Sequence, residues 1–184
     1  FITIILMILG ATSFLVHYRI IKTRGKSLIQ DLQFKVLISL IVIASILIYF
    51  TSDIVSMDAL FVVVSAITTT GASIESSTVM GGWPPFVLFI IMMLMLIGGS
   101  NGSTVGAMKL MRVITFAKGI YKNTREILAP QGSVLKMQMD GKELKESVAA
   151  QSGNFIALYL MFIVFTWSLL CLYGHNPIDS LFFS

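Results

Sequence analysis

The apolar run Ala59 to Ile67 has polar chain on both sides and is too short to cross a bilayer. As a helix it rises about 13 Å at 1.5 Å per residue, against roughly 30 Å of hydrocarbon. A segment of that length enters a membrane only by dipping in and coming back out. It ends in the threonines of SAITTTGAS, Ser65 to Ser73. Non-helical backbone at membrane depth survives only where it is buried in protein or lines a watery path. Thr68 to Ser73 is therefore a candidate ion-coordinating loop whose carbonyls replace an ion's water shell. Gly71 permits a backbone twist that a Cβ would oppose, and the short helix aims its negative C-terminal end at a cation. The plainer alternative is a threonine-rich turn that joins two helices.

Composition supports the membrane setting. Hydrophobic residues make up 56% of the chain and charged residues 12%, and the mean hydropathy is +0.89, which places the chain in the helical membrane class. The formal charge of +4 is not a nucleic-acid patch, because five of the 13 basic residues fall between Arg19 and Lys35 and the other eight between Lys109 and Lys145. Between these clusters the formal charges are Asp53, Asp58 and Glu75. By the positive-inside rule, loops 19–35 and 109–145 are cytoplasmic and loop 51–85 lies outside, where Glu75 either concentrates cations or is simply a solvated acid. The expected partner is the lipid bilayer, with no nucleic acid. Cys171 is the single cysteine, so no internal disulfide forms.

The chain begins on Phe1 and stops on Ser184 inside apolar stretches, and reads as a fragment. A signal peptide is a poor account of residues 1–18, since Arg19, Lys22 and Arg24 follow the apolar stretch. Phe1 to Val16 is expected to span inward. Val36 to Phe50, extended by Leu32 and Phe34 with Lys35 snorkelling, returns outward. Asp58 is the expected N-cap of the re-entrant helix 59–67. The turn Gly81-Gly82-Trp83-Pro84-Pro85 launches Phe86 to Ile97, about 18 Å of rise. GGSNGSTVGA, Gly98 to Ala107, then interrupts the helix within the membrane, and glycine-broken helices of this kind point to an ion or substrate path. The alternative is a kink that only allows close packing. Leu110 to Phe116 completes the crossing, with Lys109 and Arg112 reaching the inner surface. Pro130, Gly132 and Asp140-Gly141 mark a cytoplasmic hairpin or elbow, and Asn154 to Tyr173 spans outward again.

The pattern repeats. Asp179-Ser-Leu-Phe echoes Asp58-Ala-Leu-Phe, and Ile8-Leu9-Gly10 echoes Leu96-Ile97-Gly98. The repeating unit is an outward helix, a re-entrant helix with its loop, and an inward helix. Units of equal orientation are related by an axis along the membrane normal, as around a central pore.

Gly98-Gly99-Ser100-Asn101-Gly102 also satisfies G-x-S-x-G, but an intramembrane serine protease needs a histidine base at equal depth, and His17 and His175 fall near opposite surfaces. Asn101-Gly102-Ser103 is a formal glycosylation triplet at membrane depth. No HExxH, CxxC or Walker pattern occurs. Neither an enzyme nor a cofactor is expected.

SAITTTGAS, then GGWPPF, then GGSNGSTVGAMKLMR and REILAP together resemble the Trk/Ktr/HKT superfamily of potassium transporters, most closely the bacterial Trk-type membrane subunit. Ala107 and Met108 stand where the family's loop usually has Gly and Ile. The resemblance implies an all-α integral membrane protein with four M1-P-M2 repeats around a pseudo-symmetric pore. This chain would hold the inward helix ending one repeat and a basic loop (1–35) and one complete repeat (36–117, with pore helix 59–67, filter 68–73 and intramembrane loop 98–107). A cytoplasmic connector (118–147) and the start of the next repeat (148–184) would follow. It implies that Thr69, Thr70, Gly71 and Ala72 offer carbonyls to K⁺, the transported substrate, with Thr68 at the inner end. Gly98, Gly99, Ser100, Asn101, Gly102, Ser103, Thr104 and Gly106 would form the gate. Lys109 would set charge in the inner vestibule or act as a positive-inside anchor. Also implied are a bacterial plasma (inner) membrane, a homodimer and a cytosolic nucleotide-binding, TrkA-like regulatory subunit. A sodium-conducting or sodium-coupled relative and a non-conducting structural fragment are the alternatives.

Overall fold

The computed structural model describes residues 1–23, 31–52, 55–72, 82–128, 138–139, 142–143, 146–176 and 180. Ser73, Glu75, Pro130, Gly132, Asp140, Gly141 and Asp179, to which expectations were attached, lie outside them. The helices are α1 (Ile2–Ala11), α2 (Phe14–Thr23), α3 (Leu32–Thr51), α4 (Ser56–Ile67), α5 (Pro85–Ile97), α6 (Leu110–Leu128) and α7 (Glu146–Leu172). Among the described residues the protein is all-α apart from a pair of two-residue strands, Gln138–Met139 and Lys142–Glu143, which pair antiparallel where a hairpin or elbow was expected. Two compact units divide within α6, Phe1–Met111 and Arg112–Ser184.

In the first unit α4 is the hub. It packs against α1, α3 and α5, and every residue from Val62 to Ile67 is buried. Ala59, Ser65 and Ala66 on α4, with Ala11 on α1 and Ala44 on α3, are small buried residues that let backbones approach closely without a water-driven hydrophobic term. α3, 20 residues long, is apolar enough to cross a membrane. Asp31 caps its N-terminus by accepting the Phe34 amide at 2.9 Å. α4 and α5, with 12 and 13 residues, rise only about 18–20 Å each and do not span alone.

Three expectations change. Phe1 to Val16 is not one helix: α1 stops at Ala11 and α2 leaves it at 103°. Thr12 turns extended at ψ 144 while its hydroxyl donates to Ile8 O at 2.8 Å, a local bond that competes with continuing the helix. Asp58 is not the cap of α4, because the helix begins earlier, with Val55 as N-cap. Asp58 sits in the first turn instead, where its charge complements the macrodipole. α7 starts at Glu146, not Asn154, and runs 27 residues.

In the second unit Phe116 of α6 lies against Gly153 of α7 and Gly119 against Ala149. The guanidinium of Arg112 stacks 3.9 Å from the centroid of Phe155. Large apolar side chains such as Ile2, Leu6, Ile43, Phe89, Phe162 and Phe165 are exposed across the chain. So much bare apolar surface suits lipid or neighbouring helices, not water.

Candidate functional site

α4 ends in a Schellman-type cap. Thr68 is the C-cap at φ −85, ψ 0, and Thr69 follows at φ +49. The Thr70 amide donates to Ser65 O and the Thr69 amide to Ala66 O, both at 3.1 Å; this bond pair closes the motif. Glycine normally takes the left-handed position, and an L-residue there carries about 1–2 kcal/mol of strain, with β-branched ones the rarest. Thr69 holds that position nonetheless.

Side chains knit the turn to the helix end. The Thr68 hydroxyl donates to Val64 O at 2.7 Å. With that proton committed, the Thr70 hydroxyl, 2.7 Å away, donates to Thr68 Oγ1. The Ser65 hydroxyl donates to Ala72 O at 2.6 Å and draws the outgoing strand back along α4. Gly71 adopts φ +68, with open space where a Cβ would stand. Thr68 is buried, Ala72 half-buried, and Thr69, Thr70 and Gly71 are exposed. The residues singled out in sequence thus form a single oxygen-rich turn at the negative end of a buried half-helix.

Residues 98–109 leave the helical path between α5 and α6. Gly98 sits at φ 72, ψ −167, a region essentially confined to glycine. A Cβ there would stand 2.7 Å from Ala107 Cβ and 2.8 Å from Gly106 O. The loop closes on itself through Met108 N–H to Leu96 O at 3.1 Å and Leu110 N–H to Gly99 O at 2.9 Å. Inside it the Ser103 hydroxyl donates to Ser100 O at 2.6 Å. The Lys109 ammonium donates to Ser103 O at 3.1 Å and to Val105 O. Lys109 therefore turns into the loop. Ser100 is buried, Ser103 half-buried, and Asn101, Gly102, Thr104 and Gly106 are exposed.

The loop is fastened on two sides. Towards the threonine turn, the Gly106 amide donates to Thr69 Oγ1 at 3.0 Å. Towards the broken helix, the Ser100 amide donates to Ala11 O at 2.9 Å, the Thr104 amide to Gly10 O at 3.3 Å, and the Phe14 amide to Gly102 O at 3.1 Å. The Thr104 hydroxyl also donates to Gly10 O at 3.1 Å. The break in α1 and the break after α5 satisfy each other's open backbone, as membrane depth requires. His17 Nε2 lies 2.9 Å from Leu9 O, so it donates and caps α1. Gln33 Oε1 accepts the Asn101 amide at 2.7 Å.

Gln33 and the α1 break were not singled out in sequence, nor were the bond of Ser65 to Ala72 O and the capping role of His17. The only signal was the Ile8-Leu9-Gly10 echo of Leu96-Ile97-Gly98, which marks a second break at the matching place.

Two helices long and apolar enough to cross (α3 and α7), a broken helix, and two helices too short to cross, one of them the buried half-helix α4 ending in an oxygen-rich turn, define a multi-pass helical membrane protein with a re-entrant element. The family model described as TrkH, cation transport protein, matches residues 54–184. An uncharacterized cation transporter of Methanocaldococcus jannaschii is 31% identical over 178 residues, covering 97% of this chain and 36% of that protein. The Trk system potassium uptake protein TrkH of Halomonas elongata is 27% identical over 164 residues, 84% of this chain and 33% of that one. The crystal structure of the potassium transporter TrkH from Vibrio parahaemolyticus superposes with a TM-score of 0.83 at 22% identity, over 98% of this chain and 40% of that one. At that identity the likeness speaks for the fold. This chain belongs to the TrkH family of cation transport proteins, and it spans about a third of the length of the curated relatives it matches.

Proposed function

We propose that this chain forms part of a channel-like potassium uptake path, in which a dehydrated K⁺ passes the carbonyls of Thr69, Thr70, Gly71 and Ala72 and is gated by the loop 98–107. The carrying observation is α4: a half-helix buried along its last turns that delivers an exposed, oxygen-rich turn from its negative end. Neutral oxygens at a helix C-terminus offset the loss of a cation's water shell without binding it so tightly that it stays. The loop 98–109 supports a gate because it abuts this turn at Thr69 through Gly106 and is held by a few breakable hydrogen bonds.

In the complete transporter four such repeats would surround one pore, in a bacterial inner membrane with loops 19–35 and 109–145 cytoplasmic. A homodimer served by a cytosolic nucleotide-binding, TrkA-like subunit completes the proposal. The relative from Halomonas, named for potassium, supports the choice of ion. The test is flux of ⁸⁶Rb⁺ against ²²Na⁺ into proteoliposomes carrying the complete transporter. Rb⁺ uptake well above Na⁺ uptake is expected; equal or reversed rates overturn the potassium assignment, and flux of neither ion overturns conduction.

A further inference from the structure

We propose that the Thr69 side chain is a latch between the ion-coordinating turn and the gating loop, so that the loop opens only when the Gly106 N–H to Thr69 Oγ1 bond breaks. This rests on the conduction reading above and deepens it. The bond joins residues 37 positions apart, at 3.0 Å. It is also made at a position where threonine is a costly choice. Thr69 occupies the left-handed place of a Schellman turn at φ +49, where glycine would close the same turn without strain. Glycine, however, has no hydroxyl to receive the Gly106 amide.

Strain on the loop side points the same way. Among the described residues, the non-glycine residues with positive φ are Thr69, Ala107 at 66° and Lys109 at 71°. Thr69 accepts this hydrogen bond, Ala107 directly follows its donor, and Lys109 lies two residues further on. Such clustering marks segments held in place by their surroundings and ready to rearrange when a restraint is lost. The Lys109 ammonium, bonded to Ser103 O and Val105 O, stiffens the strand that presents the Gly106 amide. A Cβ on Gly106 would lie 3.6 Å from Thr69 Oγ1, so loop backbone and turn side chain are in direct contact. A restraint shared by two sites couples them in both directions: what opens the loop also loosens the turn, and a turn ordered by a bound cation strengthens the latch.

The complete transporter in proteoliposomes tests this through resting ⁸⁶Rb⁺ uptake, the K⁺/Na⁺ preference, and hydrogen-exchange protection of the peptide containing Gly106. Thr69→Val removes the hydroxyl at nearly constant volume. Thr69→Gly removes hydroxyl and strain together, which guards against a variant that merely fails to fold. Both are expected to raise resting uptake about three- to tenfold, in line with one lost hydrogen bond, and to lose protection at Gly106. Thr69→Ser, which keeps the hydroxyl, brings uptake back towards the wild-type value. Unchanged resting uptake in both hydroxyl-less variants of a conducting protein overturns the latch alone. So does a collapse of ion preference without a rise in resting uptake. A wild type that carries neither Rb⁺ nor Na⁺ overturns the conduction reading on which the latch stands.

Discussion

Gly71 and Thr69 show how much of the candidate site is decided by backbone angle. Gly71 stands at φ +68 with open space where a Cβ would go, so a substitution there meets no clash and acts only through strain. Gly71→Ser is expected to tilt the neighbouring carbonyls and lower the K⁺ over Na⁺ preference about five- to thirtyfold, which corresponds to the 1–2 kcal/mol penalty for an L-residue in this region. Relative ⁸⁶Rb⁺ and ²²Na⁺ uptake measures it, and an unaltered ratio removes Gly71 from the filter. Threonines and glycine were legible as a site because their composition is wrong for a helix interior. The left-handed angle at Thr69 was not, since nothing about a threonine advertises it. It belongs to the Schellman turn, and the hydroxyl held there meets the amide of Gly106, far along the chain.

The half-helix α4 was legible for a similar reason: an apolar run shorter than the membrane has few places to go. Its start was misjudged because Asp58 looks like a cap, whereas the chain enters the helix at Ser56 and uses the acid inside the first turn. The break in α1 was illegible, because Gly10-Ala11-Thr12-Ser13 holds no proline and lies in an apolar segment. What stabilises the break is tertiary, namely the amides of Ser100 and Thr104 on the carbonyls of Ala11 and Gly10. The attachment of α4 to its outgoing strand depends on the Ser65 hydroxyl at 2.6 Å from Ala72 O. Ser65→Ala should therefore cost about 0.5–1.5 kcal/mol, seen as a lowered Tm in detergent, together with a weakened K⁺ over Na⁺ preference. A lowered Tm with the preference intact would make Ser65 a packing residue only.

In the complete transporter as proposed, the remaining repeats would supply the axis around which the turn at 68–72 faces its counterparts. Sidedness is the first thing to establish there. Single cysteines in a background lacking Cys171, at Ser52 in the outer loop and at Lys122 in the basic segment, are expected to react with a membrane-impermeant maleimide only from outside and only from inside, respectively. The reverse pattern would invert the topology. The claim on which the rest depends is that main-chain oxygens of Thr69, Thr70, Gly71 and Ala72 hold the ion. Crystals of the complete transporter grown in Rb⁺ and measured at the rubidium absorption edge test it directly. Anomalous density within coordination distance of those carbonyls is the predicted result, and Rb⁺ sites elsewhere along the conduction path with none at these carbonyls would contradict it.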